Sequence, residues 1–108
     1  AAHGSICGAL LPYGLKANQH FAEDPIVTQR LEQIADWIAD IFGGLKADAF
    51  DTLATWIADQ GITGLASLGL KRVNIRAVAI ASQASSSMKA NPVALPLEAL
   101  VSVLEEAL

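Results

Sequence analysis

Charge is scarce in this chain. Only 17% of its residues are Asp, Glu, Lys or Arg, against 53% that are apolar. That excludes a disordered chain, which would be poor in apolar residues and rich in net charge. Basic residues are scarcer still: seven of them, Lys16, Arg30, Lys46, Lys71, Arg72, Arg76 and Lys89, are scattered along a chain of net charge −4. Affinity for phosphate backbones rests on clustered Lys and Arg, so nucleic acid is not the expected partner. The one local cluster, Lys71, Arg72 and Arg76, reads as a solvated helix start. The single cysteine, Cys7, cannot close an internal disulfide; lying in an apolar run, it is expected to be a small buried hydrophobe in a reducing compartment. No apolar run reaches the roughly 18 residues that span a bilayer. The apolar stretch from Ile6 to Leu15 has neither a basic leader nor a small-residue cleavage site. The expectation is a soluble cytoplasmic protein with no membrane partner.

What the chain has in excess is small and medium apolar side chains: twenty alanines and fourteen leucines among 108 residues. That length supports one domain and one core. A domain of this size buries about two-thirds of the surface its unfolded chain exposes. With so few charges, some apolar surface is left over, and a large exposed apolar patch marks a place where something docks.

Apolar spacing along the chain is helical throughout. Gly4 to Asn18 carries Ile6, Leu10, Leu11 and Leu15, with Ala, Cys7 and Tyr13 filling the other faces, so this helix belongs in the middle of the fold. Pro12 lies inside it, which predicts a kink near Gly8. Glu23-Asp24-Pro25 is an acidic turn with proline where helices begin. From Ile26 to Phe42, the stripe Val27, Leu31, Ile34, Ile38 and Ile41 opposes a polar face, and Gly43-Gly44 stops it. A third helix opens at Asp48, with Phe50, Leu53, Ala54 and Ile57 inward and Gly61 at its end; Asp48 and Asp51 give it a weak capping signal. Ile62 to Leu70 reads as a compact turn. A fourth helix runs from Arg72 to Ser85, with Ile75, Val78, Ala79 and Ser82 on one face. Ser85 to Pro92 is a loop, because Asn-Pro disfavours helix at Asn91. Pro96 opens the last helix, with Leu97, Leu100, Val101, Leu104 and Leu108 inward. No segment reads as a strand, and the fold class is all-α, a bundle of about five helices without internal repeat or linker.

Chemistry-bearing patterns are few. His3 and His20 lie seventeen residues apart, which is no metal-ligand spacing by itself. Asp36, Asp40, Asp48, Asp51 and Asp59 fall on solvent faces, where paired acid and base work is not indicated. Ser85 to Ser87 lack a nucleophile-elbow setting, and no glycine-rich loop follows a strand. Trp37 and Trp56 flank the inward stripes and read as core or interface packing. The residues by themselves thus reach a soluble helical domain with apolar surface to spare.

A resemblance carries further. His3-Gly4, followed by Ser5 to Pro12 and then Ala17-Asn18, resembles the H-G-x-x-x-A-x-L-L-P-x-x-x-x-x-N segment of the iron-containing alcohol dehydrogenase family. Leu68-Gly69-Leu70 resembles that family's short turn before its next helix. Ser86 to Pro92 resembles the S-S-M-K-x-N-P loop of one branch, and Pro96 to Leu108 its final helix. The motifs occur in order and span essentially the whole chain. Some positions depart from the pattern: Ala2 stands where a proline often precedes His-Gly, and Lys71 and Pro96 replace a threonine or serine helix cap.

The resemblance implies a two-domain enzyme of dehydroquinate synthase-like fold, of which residues 1–108 would be the C-terminal part of the all-helical domain. In that family an N-terminal nucleotide-binding domain faces the helical one across a cleft that holds NAD or NADP and a divalent metal, iron or sometimes zinc. One aspartate and three histidines bind the metal, and the match makes His3 the last of these; the others would lie upstream of Ala1. Met88, Lys89 and Asn91 are then expected along the wall of the substrate cleft. The implied partners are the nucleotide-binding domain, a small alcohol or aldehyde, and a further copy of the chain through exposed apolar surface. Alone, the chain is expected to be inactive and to bind metal weakly. The alternative is an autonomous helical interaction module that uses its apolar face to bind another protein.

Overall fold

The structure, a computed structural model, describes residues 3–108, with the backbone alone at Ser87. The described residues form no strand. Five helices of two turns or more carry the fold: α1 (His3–Phe21), α2 (Pro25–Phe42), α3 (Ala49–Asp59), α4 (Ile75–Gln83) and α6 (Leu97–Glu106). Between α4 and α6 lies a single turn, α5 (Ser86–Lys89), and short 3₁₀ turns precede α3 and α4. The all-helical expectation holds at this level. Ala2, one of the departures from the family pattern, lies outside the described residues.

The stop and start signals act where the sequence puts them. The Asp24 carboxylate accepts the Ile26 amide at 2.8 Å, and Pro25 sits in the first turn of α2. A cap of this kind satisfies one of the orphan donors of a helix N-terminus. At the other end Gly43 takes φ +81° and donates its amide to the Ala39 carbonyl, a left-handed backbone that side chains with a Cβ disfavour. The Asp48–Asp51 capping signal is not used: the Asp48 side chain makes no capping bond, and Asp51 accepts instead from Lys16 Nζ at 2.8 Å. A long-range cation outcompetes the local cap there.

α1 is the hub. It packs on α3 on one side and on α6 on the other. It also outruns its expected end at Asn18 and continues through Pro12 to Phe21. Pro12 is the largest fully buried side chain, so its ring is embedded in the core while the helix continues past it. At the far end, the ring of Phe21 meets that of His20 edge-on, with centroids 4.8 Å apart.

Three apolar clusters hang on this helix. Ala35, Ile38, Ala49 and Phe50 fill the space between α2 and α3, with Leu15 of α1 against them. Ile75, Ala79, Leu100 and Val101 join α4 to α6. Ala9, Leu65 and Ala107 tie α1 to the 62–70 turn and the end of α6. The amides of Leu65 and Ala66 donate to the carbonyls of Ala107 and Leu108 at 2.8 and 3.0 Å, which satisfies carbonyls that a helix end leaves orphaned.

The molecule is a slab, 37 × 33 × 19 Å, only about two helix diameters thick. Several residues expected inside are therefore outside. Cys7, expected to be buried, is exposed. Ile41, at the end of the α2 stripe, is 74% exposed, and Val78 is exposed as well; outside the expected stripes Leu45 is 70%, Trp37 54% and Trp56 44% exposed. Trp56 meets Phe42 with ring centroids 5.3 Å apart, so this aromatic contact lies on the surface and not in the core.

Candidate functional site

His3 stands at the opening of α1, exposed to solvent. The helix behind it is fixed: Ile6, Ala9, Leu10 and Tyr13 pack with Leu65 and Ala107. One turn further, on the same face, the Sγ of Cys7 lies 3.4 Å from His3 Nε2. Residues four apart on a helix are stacked neighbours, so the contact is a direct product of the sequence. No group of three or more His, Cys, Asp or Glu side chains able to hold a metal occurs among the described residues. His3 Nε2 and Cys7 Sγ thus stand as an exposed, hydrogen-bonded pair at the start of α1.

The residues expected along a substrate cleft are at the other end of α1. Asn18 and Asn91 exchange side-chain amide hydrogen bonds: Asn91 Nδ2 donates to Asn18 Oδ1 at 2.8 Å, and Asn18 Nδ2 donates to Asn91 Oδ1 at 3.1 Å. Asn91 also donates to the Val93 carbonyl at 2.7 Å. Asn18 lies fifteen residues beyond His3, about 22 Å along the helix. Met88 is half-buried against the α4–α6 cluster and lines a small cleft of about 190 Å³ with Leu10, Gly14 and Leu104. Lys89 is exposed. The structure thus gathers Met88 and Asn91 around the middle and end of α1 and leaves Lys89 outside. Met88 packs, and Asn91 clasps the 86–92 segment to α1; neither shares a site with His3. The segment itself is not wholly loop, since Ser85 Oγ accepts the Met88 amide at 3.2 Å and opens the one-turn helix α5.

Sequence reasoning missed a wide groove. A groove of about 770 Å³ runs between α1 and α6, with Tyr13, Lys16 and His20 on one bank and Glu98, Ser102 and Glu106 on the other. No motif announces it, because its banks lie some eighty residues apart in sequence. Its charges are largely committed. The Lys16 ammonium is held above its ordinary value by its hydrogen bond to Asp51, against a partial loss of solvent. Arg76 of α4 forms a two-pronged pair with Glu98 at 2.9 and 3.2 Å, and that hydrogen-bonded guanidinium holds the Glu98 carboxyl below the usual carboxylate range.

Among the described residues no helix is long and apolar enough to cross a membrane. Comparison with protein families, curated proteins and solved structures returns no match.

Proposed function

We propose that this chain is the C-terminal part of the helical domain of a metal-dependent NAD(P) oxidoreductase of the iron-containing alcohol dehydrogenase kind, interconverting an alcohol and an aldehyde or ketone by hydride transfer. The observation that supports this reading best is the Asn18–Asn91 clasp. Two of the motifs that carry the resemblance are bonded to each other through asparagines 73 residues apart. Two short motifs matched by accident carry no requirement that those residues meet.

On this reading His3 brings one neutral nitrogen to the metal, and the packing of α1 holds it in place while the remaining donors come from upstream. The metal, when bound, supplies a Lewis acid that polarises the substrate oxygen during hydride transfer. The dinucleotide belongs to the upstream nucleotide-binding domain, for which the exposed apolar belt of Trp37, Ile41, Leu45 and Trp56, together with the upstream helices, provides a docking surface. One or two donors hold a metal weakly, so the chain alone is inactive.

The same belt favours the second reading, an autonomous module that binds another protein through it. The coding sequence upstream of Ala1 separates the two. The enzyme requires a glycine-rich nucleotide-binding turn, then an aspartate and an H-x-x-x-H pair shortly before Ala1. A reading frame that opens at Ala1, or an upstream segment without those donors, contradicts it.

A further inference from the structure

We infer that the outer flank of α2 is a homodimer interface, on which a second copy of the chain packs antiparallel about a two-fold axis between Gln33 and Ile34. The inference stands apart from the dehydrogenase reading: it draws Trp37 and Ile41 of the apolar belt into the dimer and leaves Leu45 and Trp56 to an upstream domain.

α2 carries more apolar surface than the fold uses. Leu31, Ala35 and Ile38 are its buried residues. At about 100° per residue, a second stripe lies about a third of a turn round the helix from them: Ile26, Arg30, Gln33, Ile34, Trp37 and Ile41. Ile34 is half-buried against the α2–α3 cluster; the other five are exposed, Ile26 at 62%. The order of this stripe selects its occupant. Counted outward from the midpoint of Gln33 and Ile34, its residues fall at the same intervals in both directions, three and then four. A two-fold interface presents one patch to itself, so that if residue i meets j, j meets i. Antiparallel packing about that midpoint sets Ile26 against the partner's Ile41, Arg30 against the partner's Trp37, and Gln33 beside the partner's Ile34, each pair made twice. A surface for an unrelated protein has no need to match itself from both ends.

The charges agree with this register. Arg30 is the one cation of α2, and among the described residues it makes no ion pair. The face of an indole is a partner that a guanidinium takes, and the second copy supplies it. Glu32, Asp36 and Asp40 lie off the stripe, and Asp36 is held by Lys46 at 3.2 Å, so the two copies meet along it without like charges opposed. The stripe rises about 22 Å along the helix. A single helix pair of that length is at the small end of specific interfaces, so the dimer forms at concentrations on the order of micromolar and above.

Sedimentation equilibrium of the 108-residue chain, from micromolar to millimolar, tests the inference. The wild type shows a monomer–dimer equilibrium. Ile26→Glu and Trp37→Glu each weaken it by about tenfold or more, since every dimer loses two apolar contacts. Arg30→Ala weakens it by about fivefold or more, the loss of two cation–π contacts of about 0.5 kcal/mol or more each. Leu45→Lys, off the stripe, leaves it within about twofold, as at an ordinary surface position. The variants keep the helical circular dichroism of the parent, because all four side chains are exposed. With Cys7→Ser as background, Gln33→Cys gives a disulfide-linked dimer on mild oxidation, because the two copies of residue 33 flank the axis within disulfide reach. Val73→Cys, at an exposed position before α4, does not.

A chain that stays monomeric throughout the range overturns the inference. A dimer that Leu45→Lys weakens as much as Trp37→Glu does, or that fails to link through residue 33, overturns it too: the apolar belt then associates without this register. None of these outcomes touches the dehydrogenase reading, which the upstream sequence decides.

Discussion

Asn91 makes three amide hydrogen bonds with two partners, and Asn18 takes part in only two of them. Removing Asn91 strands both the Asn18 amide and the Val93 carbonyl in a half-buried setting, where an unmet polar group costs about 1–3 kcal/mol. Asn91→Ala should therefore destabilise the fold by about that much, and Asn18→Ala by less, since Asn91 keeps its bond to Val93. Urea unfolding of the two variants and of the double variant checks the ordering; an Asn18→Ala loss equal to or above that of Asn91→Ala contradicts the clasp. Two glycines make a second contrast. A Cβ on Gly64 would lie within 3.0 Å of three backbone atoms of Ala107 and Leu108, whereas one on Gly14, inside α1, would meet nothing within 4 Å. Gly64→Ala should cost about 1–3 kcal/mol through overpacking against backbone that cannot yield. Gly14→Ala should stabilise by about 0.5–1 kcal/mol, because mid-helix glycine gives up the most chain entropy on folding.

Between elements, α4 and α6 are joined by an apolar cluster and by the exposed Arg76–Glu98 pair. The Glu98 carboxyl is depressed by its hydrogen bond to Arg76, so the contribution of the pair is present above the ordinary carboxylate pKa and is lost as the pH falls through the lower, folded value. Its solvent exposure keeps that contribution small and sensitive to salt. A carboxyl NMR titration should find Glu98 below the ordinary range, returning to it in Arg76→Gln or at high salt; an unmoved value in Arg76→Gln would remove the pair. The elements themselves were legible in sequence wherever a strong local signal stood alone. Asp24-Pro25 and Gly43 bound α2 within a residue of expectation because cap, proline and glycine act through their own backbone. The far end of α1 was not legible, and neither was the fate of the Asp48–Asp51 capping signal at the start of α3. The first goes with a Pro12 ring buried in the core, and the second with the attraction of Asp51 to Lys16 across the fold.

At the scale of the molecule, a slab 19 Å thick cannot cover every apolar stripe its helices carry. Periodicity marks which face of a helix is apolar, and it cannot say whether another element arrives to cover that face. This is why Ile41 was expected inward and lies outward, and why Cys7 was expected buried and is exposed. Ile41→Lys with Leu45→Lys should leave thermal unfolding within about 0.5 kcal/mol of wild type, as at ordinary surface positions, while reducing self-association in sedimentation at high concentration. A strong loss of stability would place those residues in the core instead. His3 was singled out only through a motif, while its contact with Cys7 follows from the i, i+4 spacing alone. The separation of His3 from the Met88–Asn91 segment was not, because it depends on which end of α1 the segment returns to. The account stands or falls on His3 in the full reading frame. Elemental analysis of the purified full-length protein, with and without His3→Ala, should show one divalent metal per chain lost in the variant, together with alcohol-dependent reduction of NAD or NADP. Full metal occupancy and undiminished activity in His3→Ala would contradict it.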